Sequence, residues 1–315
     1  MHRRTFAAAL AGLPFVSVAQ GFPIQPIRIY GGFGAGSSSD NVMRMMAPVM
    51  QQILGQPVVI DNISGAGGNI ASAAVARAKP DGYTILSATN SMLGTNPHLF
   101  PGSGVKLDTF TPIAPVANIG LVVAAGPGAP ASTLAGVLEI GRKKRVTYGT
   151  PGAGTPMHLV GEMLRERSRG DLARIPYKGG AALVGDLASG QVDIGIVAYT
   201  PASGLIKSGR LKALAVCGTS RLQALPDVPA VAEVMPGVTI GGWCALVAPA
   251  GTPEAVCDAI ASAADKALAP PQIQAQLVEM GCDRIKGGPD TVRQLAQAEY
   301  DLSGDLIRRL GIRAS

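Results

Sequence analysis

The sequence predicts an α/β fold with largely parallel sheets; the alternation of its segments indicates the fold class, and its length and composition indicate the number of domains and the abundance of loops. Short apolar runs alternate along the chain with longer segments whose apolar residues recur at helical spacing, the pattern of strands joined by helices. A length of 315 residues allows about two domains, and a hydrophobic content of 47% can supply both with a core. Charged residues make up only 15% of the chain, whereas 41 glycines and 24 prolines indicate many turns and loops.

Five apolar runs are predicted as buried strands, at residues 27–30, 58–60, 84–86, 192–197 and 211–217. The first helix follows the first strand, because apolar residues recur at helical spacing from Val42 to Ile53. Pro48 is expected to kink or restart this helix, and its methionines are interpreted as core residues. Further helices are predicted at residues 157–167, 181–189, 254–269 and 290–309.

Residues 1–19 have the features of an export signal. Arg3 and Arg4 supply a positive start, an apolar stretch follows, and small residues end it. Ordinary Sec export and twin-arginine (Tat) export both stay open. A membrane anchor is less favoured, because the stretch is shorter than the ~20 residues that span a bilayer. We therefore expect a soluble protein outside the cytoplasm that begins near Gln20.

The charge pattern argues against a nucleic-acid partner. The formal net charge is +6, and it falls to +4 without Arg3 and Arg4. Aromatic residues make up 4% of the chain, and the sequence contains no basic stripe. The chain therefore lacks both the electrostatic and the stacking elements of a nucleic-acid surface.

The four cysteines, Cys217, Cys244, Cys257 and Cys282, show no CxxC spacing, so a metal site is not expected. In an oxidising compartment they are compatible with one or two disulfides. Buried thiols are the alternative, because Cys217 and Cys244 lie in apolar, strand-like runs. The sequence leaves both states open.

Two glycine-rich loops are the most informative feature of the sequence. Residues 31–40 follow the first predicted strand and open the first helix, and residues 148–158 repeat this arrangement later in the chain. Each loop places hydroxyls and free amides at a helix N-terminus, where unpaired N–H groups and the positive end of the helix dipole favour an anion. The alternative is that Ser39, Asp40 and Thr155 only cap their helices. Together the loops predict two halves of one anion site.

Neither loop has a nucleotide-binding signature. The first lacks G-x-G-x-x-G, and the second has Gly149 and Gly154 in Walker spacing but Thr155 where the phosphate-binding lysine belongs. No G-x-S-x-G elbow is present, and His98 and His158 are the histidines that follow the leader. We therefore expect neither an enzyme nor a cofactor-binding protein.

A series of short motifs carries a family resemblance. In chain order they are Pro-Ile-Arg-Ile at 26–29, the loop from Phe33 to Asp40, Gly-Gln-Pro-Val-Val at 55–59, Gly-Ala-Gly-Gly-Asn-Ile at 65–70, Pro-Asp-Gly-Tyr-Thr at 80–84, Thr-Asn-Pro at 95–97, Pro-Tyr-Lys-Gly at 176–179, Gly-Gln-Val-Asp at 190–193, Ala-Leu-Pro-Asp-Val-Pro at 224–229 and Ala-Pro-Ala-Gly-Thr-Pro at 248–253. The chain after the leader resembles, over essentially its whole length, the periplasmic solute-binding receptors of tripartite tricarboxylate transporters, the Bug receptors.

The resemblance implies a two-lobed periplasmic binding protein fold, type II-like, with a ligand cleft between the lobes. It implies an extracytoplasmic receptor that captures a small organic carboxylate for the transporter's membrane subunits, as a monomer without a cofactor. An enzyme acting on a small carboxylate, or a sensory protein with no transporter, is the alternative. We expect residues 20–121 and 240–315 in the first lobe and residues 122–239 in the second, with crossings near 118–124 and 236–242.

The family's site residues transfer to two sets of positions. The first jaw would comprise Phe33, Gly34, Ala35, Gly36, Ser37, Ser39 and Asp40, with Thr89 and Asn90 beside it. The second would comprise Thr150, Gly154, Thr155, Tyr177, Lys178, Gly179, Val197 and Ala198. In this family main-chain amides, hydroxyls and bridging waters hold the carboxylate, and Lys178 is expected to stay solvated.

Three departures from the family pattern bear on the ligand. Gly34-Ala35 replaces the usual Pro-Pro, Ser37-Ser38 replaces glycines, and Val197-Ala198 replaces an Asp-Asn pair. Loss of that acidic, amide-bearing pair should make the far end of the pocket more apolar. We therefore expect a hydrocarbon or aromatic tail on the ligand rather than a distal amine or a second carboxylate.

Overall fold

The computed structural model describes residues 21–152 and 154–313. The predicted export signal, residues 1–19, lies outside the described residues. Among the helices that the structure describes, none combines the length and the apolar character that a membrane crossing requires. The described chain forms two lobes, each built on one sheet.

Eleven strands and eleven α-helices form within the described residues. The strands are β1 (Ile27–Gly31), β2 (Val58–Asn62), β3 (Thr84–Thr89), β4 (Phe110–Ile119), β5 (Leu121–Ala125), β6 (Val146–Pro151), β7 (Leu172–Tyr177), β8 (Ile194–Ala198), β9 (Lys212–Val216), β10 (Gly242–Pro249) and β11 (Cys282–Arg284). The helices are α1 (Ser38–Leu54), α2 (Asn69–Ala76), α3 (Asn96–Leu99), α4 (Leu134–Gly141), α5 (Pro156–Ser168), α6 (Gly180–Ala188), α7 (Tyr199–Lys207), α8 (Val231–Val234), α9 (Glu254–Leu268), α10 (Pro271–Glu279) and α11 (Pro289–Leu310).

Every predicted strand and helix is present in the structure. The five predicted strands correspond to β1, β2, β3, β8 and β9, and the four later helices to α5, α6, α9 and α11. The expectation that Pro48 restarts the first helix is wrong, because α1 continues through it. Pro48 faces solvent, whereas Val42, Met46 and Met50 bury the opposite face in the core and keep the helix in place.

The two sheets are mixed. The first lobe has six strands in the order β11-β4-β10-β3-β1-β2, and the second has five in the order β7-β6-β8-β5-β9. Among the residues that the structure describes, four strand pairs are parallel and five are antiparallel, so the prediction of largely parallel sheets is wrong. Each antiparallel pair includes β4, β5 or β10. β4 and β5 carry the chain directly from the first lobe to the second, and β10 is the strand on which it returns, after α8.

The chain passes from the first lobe to the second in an almost continuous strand. β4 ends at Ile119 and β5 begins at Leu121, so Gly120 alone separates the two sheets. Its N–H donates to the carbonyl of Gly281 at 2.9 Å, and its own carbonyl accepts from the N–H of Tyr199 at 2.8 Å. These bonds join the crossing to the start of α7 and to the turn before β11.

The chain returns to the first lobe between β9 and β10, and α11 then connects the lobes a third time. Val292 and Ala296 pack in a core of the first lobe, whereas Leu306 and Ile307 pack in a core of the second. The predicted domain boundaries stay a prediction. Residues 240–315 were expected in the first lobe, but the last turns of α11 pack against the second lobe.

All four cysteines are buried and free. Burial raises the pKa of Cys217 and that of Cys282 to about 12, and it raises the pKa of Cys244 and Cys257 as well. The sequence left disulfides and buried thiols open, and the structure contains buried thiols. A protonated, buried thiol reacts slowly, because the thiolate is the nucleophile.

We predict that Ellman's reagent detects fewer than one thiol in the folded protein. After unfolding in guanidinium without a reductant, the same assay should detect four, because each Cys is then exposed with an ordinary pKa. A reduced, unfolded sample is the control. A lower count in the unreduced sample than in the reduced one would show that a disulfide forms.

Candidate functional site

A cleft of about 130 Å³ lies between the lobes, beside the crossing at Gly120. Its walls come from both lobes and from both crossings. The lining residues are Phe33, Ser37, Ser38, Ser39, Thr89, Asn90, Ser91, Ile119, Leu121, Thr155, Pro156, Met157, Ala198, Gly242 and Trp243. None of them carries a charged side chain, so any charge preference of the cleft arises from backbone and hydroxyl groups.

The first wall is the N-terminus of α1. Gly36, with a φ of +81°, reverses the chain after β1, and Ser37 then caps the helix by accepting from the N–H of Asp40 at 3.4 Å. Ser38 and Ser39 occupy the first turn, where a helix leaves its N–H groups without intrahelical partners. Within the described residues neither of these two N–H groups has another acceptor. Both are therefore available to an anion in the cleft.

Asp40 supports this loop but does not line the cleft. Its buried carboxylate accepts from the N–H of Gly36 at 2.8 Å and from Arg44 Nε at 3.0 Å. Burial would raise the pKa of this carboxyl, but the hydrogen bonds from Arg44 and Gly36 lower it below its ordinary value. The negative charge is thus paired with Arg44 and does not oppose an anion in the cleft.

The second wall is the N-terminus of α5. Thr155 caps the helix by accepting from the N–H of His158 at 3.3 Å, and its own hydroxyl donates to the carbonyl of Gly152 at 3.2 Å. Pro156 has no N–H, so the N–H of Met157 is the free donor of this first turn within the described residues. The hydroxyl of Thr155 is committed to its own loop.

A buried side-chain network holds the α5 loop from behind. The N–H of Gly154 donates to His158 Nδ1 at 3.0 Å, which assigns the ring proton to Nε2, and Nε2 lies 3.6 Å from Glu162 Oε1. Glu162 also accepts from Tyr148 Oη at 2.6 Å and from Arg165 Nε at 2.9 Å. Burial opposes ionisation of Glu162, but hydrogen bonds from His158, Tyr148 and Arg165 lower its pKa to about 2. Because the N–H of Gly154 donates to His158, it is not available to a group in the cleft.

The third wall is the N-terminus of α7, capped by Ala198. The N–H of Tyr199 donates to Gly120, Pro201 has no N–H, and the N–H of Thr200 has no acceptor within the described residues. The Thr200 hydroxyl accepts from Ser38 Oγ at 2.9 Å and donates to the carbonyl of Met280 at 2.8 Å. The bond from Ser38 to Thr200 crosses the cleft and holds the lobes together.

Hydroxyl groups complete the set of donors. Thr89, at the end of β3, is only 7% exposed, and its Oγ1 has no hydrogen-bond partner among the described residues. Ser37, Ser39 and Ser91 also line the cleft, and within the described residues none of their hydroxyls donates to a protein acceptor. A buried hydroxyl without a partner is unfavourable, so a ligand that accepts from Thr89 would remove that cost.

The structure brings seven of the predicted site residues to the cleft: Phe33, Ser37, Ser39, Thr89, Asn90, Thr155 and Ala198. The other predicted residues do not line it: Gly34, Ala35, Gly36, Asp40, Thr150, Gly154, Tyr177, Lys178, Gly179 and Val197. Whether the lining residues bind a ligand stays a prediction.

Specific contacts explain why several predicted residues lie elsewhere. The buried hydroxyl of Thr150 accepts from Arg174 Nε at 2.8 Å, and Tyr177 Oη donates to Asp186 at 3.0 Å. Lys178 is exposed, and Val197 is fully buried in a core of the second lobe. Residues 197 and 198 are neighbours on one strand, so their side chains point to opposite faces of the sheet.

Sequence reasoning missed eight residues of the lining: Ser38, Ser91, Ile119, Leu121, Pro156, Met157, Gly242 and Trp243. Ser38, Pro156 and Met157 lie within the two predicted loops, residues 31–40 and 148–158, but were not among the predicted site residues, and Ser91 adjoins Asn90. The other four belong to the two crossings, and no local pattern in the sequence places those segments beside the loops.

The protein resembles known proteins over nearly its whole length. A model of the family described as "Tripartite tricarboxylate transporter family receptor" matches residues 42–312. A UPF0065 protein of Bordetella pertussis is 33% identical over 315 residues, which cover 98% of this chain and 97% of the relative.

Solved structures show the same similarity. The periplasmic binding protein BugD is 32% identical, with a TM-score of 0.83 over 93% of this chain and 100% of BugD. R. palustris Rpa4515 with adipate is 27% identical, with a TM-score of 0.85 over 93% of this chain and 99% of that one. MatC (Rpa3494) from Rhodopseudomonas palustris with bound malate is 27% identical, with a TM-score of 0.80 over 91% of this chain and 100% of MatC. The mixed two-sheet architecture is therefore that of a periplasmic binding protein.

We predict that Glu162→Gln destabilises the protein at pH 7 and much less at pH 3. The pKa of Glu162 is about 2 in the folded protein and 4.5 ordinarily, so its ionised form stabilises the fold above about pH 4.5. That contribution falls as the pH drops through 4.5 towards 2. Chemical unfolding at both pH values should show that the difference between wild type and variant shrinks by about half. A difference that is constant or larger at pH 3 would contradict this account.

We also predict that Ser38→Ala shifts the ligand-free protein towards a more open arrangement. The variant loses the bond across the cleft to Thr200, and one net hydrogen bond of about 1 kcal/mol changes the closed-to-open ratio about fivefold. Small-angle X-ray scattering should detect a larger radius of gyration. Ser203→Ala is the control, because Ser203 bonds only within α7, to the carbonyl of Thr200. An equal effect of the two variants would contradict a role in closure.

Proposed function

The chain belongs to the tripartite tricarboxylate transporter receptor family, and on that premise we propose that its cleft captures a small organic carboxylate for delivery to the membrane subunits of such a transporter. The observation that carries the proposal is the convergence of three helix N-termini, those of α1, α5 and α7, on one cleft. Each contributes unpaired N–H groups and the positive end of a helix dipole.

The chemistry of the donors favours a carboxylate over a neutral solute. Within the described residues, Ser38, Ser39 and Met157 line the cleft with N–H groups that have no acceptor, and the Thr89 hydroxyl has no partner. A carboxylate accepts several hydrogen bonds, whereas it has no donor of its own that would need an acceptor here. Two of the solved relatives hold carboxylates, adipate in Rpa4515 and malate in MatC, and this supports the same ligand chemistry.

We propose that the lobes open and close about the two crossings. Gly120 and the pair Gly241-Gly242 each interrupt a path between the sheets, and a few such residues can absorb the change in backbone angles. The bonds from Ser38 to Thr200 and from Asn90 to the carbonyl of Gly241 would be formed in the closed state. This proposal keeps the predicted lobe boundaries at residues 121–122 and 239–240, with α11 as a bridge.

We propose binding without turnover. The hydroxyls that line the cleft have no histidine, lysine or carboxylate beside them in the lining, and nucleophilic catalysis by serine requires such a base. His158, the nearest candidate, holds the Gly154 amide with one ring nitrogen and faces Glu162 with the other. An exported, monomeric receptor in the periplasm is consistent with the leader and with the family.

Native mass spectrometry of protein purified from the periplasm, followed by extraction of its ligand, tests the proposal. An unchanged organic acid should be released, and a thermal-shift screen of organic acids should find ligands that raise the melting temperature. At one hundred times its dissociation constant a ligand stabilises the folded state by about 2.7 kcal/mol. A ligand that is not an acid, or an acid that the protein converts to product, would overturn the proposal.

We predict that Thr89→Val weakens binding of the best organic acid from that screen by roughly ten- to a hundredfold. Valine keeps the shape of the side chain in β3 but removes the unpartnered hydroxyl, and a charge-assisted hydrogen bond contributes about 1.5–3 kcal/mol. Lys178→Met should change the affinity less than twofold, since Lys178 is exposed and outside the cleft lining. Isothermal calorimetry on both variants decides this. Abolition of binding by Lys178→Met with a silent Thr89→Val would show that a cation holds the ligand.

A further inference from the structure

The cleft combines one polar region with extensive apolar walls. Phe33 comes from the loop after β1, Ile119 and Leu121 flank the crossing at Gly120, Met157 comes from α5, and Trp243 comes from β10. These five side chains present only carbon, sulfur and one indole N–H. The polar lining consists of hydroxyls and one amide side chain near the helix N-termini and the end of β3.

A second ionised group on a ligand would have no counter-charge in this cleft. Within the part of the chain that the structure describes, no lysine, arginine, histidine, aspartate or glutamate lines it. Arg44 of α1, Arg174 of β7 and the exposed Lys178 all lie outside the lining: Arg44 pairs with Asp40, and Arg174 Nε donates to Thr150. A carboxylate that leaves water without new hydrogen bonds or a counter-ion is strongly disfavoured.

Position 198 supplies an independent indication. Ala198 lines the cleft at the N-cap of α7, whereas Val197 points into a core of the second lobe. A methyl group therefore faces the ligand where a polar side chain could have held a distal substituent. The size of the cleft agrees, because about 130 Å³ is close to the roughly 150 Å³ of an apolar cavity that accepts one benzene ring.

We infer that the ligand carries a single carboxylate on a compact apolar body, about the size of one ring or a short hydrocarbon chain. The carboxylate lies at the N-termini of α1, α5 and α7, and the body lies against Phe33, Met157 and Trp243. This inference rests on the proposed function and adds the ligand class. It separates this chain from Rpa4515 and MatC, which hold the dicarboxylates adipate and malate.

Matched pairs of acids test the inference. Hexanoate and adipate have the same six carbons, and benzoate and benzene-1,4-dicarboxylate share one ring, so each pair differs chiefly in the second carboxylate. Trp243 is the only tryptophan among the 315 residues and lines the cleft, so its fluorescence reports occupancy. The protein is first unfolded and refolded to remove bound ligand, and calorimetry confirms each dissociation constant.

We expect the monocarboxylate of each pair to bind at least tenfold more tightly than its dicarboxylate. Equal or tighter binding of adipate or benzene-1,4-dicarboxylate would overturn the inference and leave the proposed function intact. No response to any of the four acids, together with no organic acid in the thermal-shift screen, would overturn both. A screen that finds only acids with two or more carboxylates would overturn the inference alone.

A variant pair provides a second readout. Met157→Lys places an ammonium group in the apolar wall, and it should reduce the preference for hexanoate over adipate at least tenfold. Met157→Leu is the matched control and should leave that preference within twofold, because it keeps the wall apolar. Circular dichroism checks that both variants fold. An unchanged preference in a folded Met157→Lys variant would show that this wall does not contact the ligand body.

Discussion

The passage of one strand from the first sheet into the second through Gly120 is the constraint on which the rest of the structure depends. Both hydrogen-bonding groups of Gly120 are used, one by Gly281 and one by Tyr199. A Cβ at this position would clash with the carbonyl oxygen of Gly281 and lie 2.6 Å from Leu222 Cδ1, so a larger residue would displace Gly281 and break its bond to the crossing. The crossing thereby places the N-terminus of α7 beside the first lobe and defines the floor of the cleft.

Among the described residues, the charged side chains near the cleft lie outside its lining. Two clusters of ionisable groups lie directly behind the walls: Asp40 with Arg44 behind α1, and Glu162 with His158 behind α5. In each cluster the charged groups pair with one another. One loop amide also donates to each cluster, that of Gly36 to Asp40 and that of Gly154 to His158. Their physical role is to hold the loops in a shape that directs other N–H groups at the cleft. Backbone dipoles held in this way need no reorganisation when an anion arrives.

The bridge formed by α11 sets limits on how the lobes move. Its early turns belong to the core of the first lobe and its late turns to that of the second, and Arg309 near its end contacts Glu166 of α5. A rigid helix of 22 residues anchored at both ends resists separation of the lobes. The movement proposed about Gly120 and Gly242 would therefore have to include sliding or loosening of the last turns of α11 against the second lobe.

The sequence by itself determined the parts of this protein that depend on local spacing. Periodicity placed α5, α6, α9 and α11 to within one residue, and the two glycine loops located the N-termini of α1 and α5. The sequence motifs also indicated the family, which the comparisons show. Only the tertiary structure decided the antiparallel strands, because β4 carries Pro112 and Pro115 and no sequence pattern marks its direct continuation into β5.

Within the site the same division holds, for a physical reason. The sequence predicts that hydroxyls and amides bind, but the groups that stay free depend on partners distant along the chain. Arg174 Nε donates to the hydroxyl of Thr150, and the hydroxyl of Ser38 donates to that of Thr200. Alternation along a strand shows only that the side chains of Val197 and Ala198 point to opposite faces of β8. Which of the two lines the cleft depends on which face of β8 meets it. Local sequence specifies which groups are able to bind, whereas the packing of remote segments selects those that remain unpaired at the cleft.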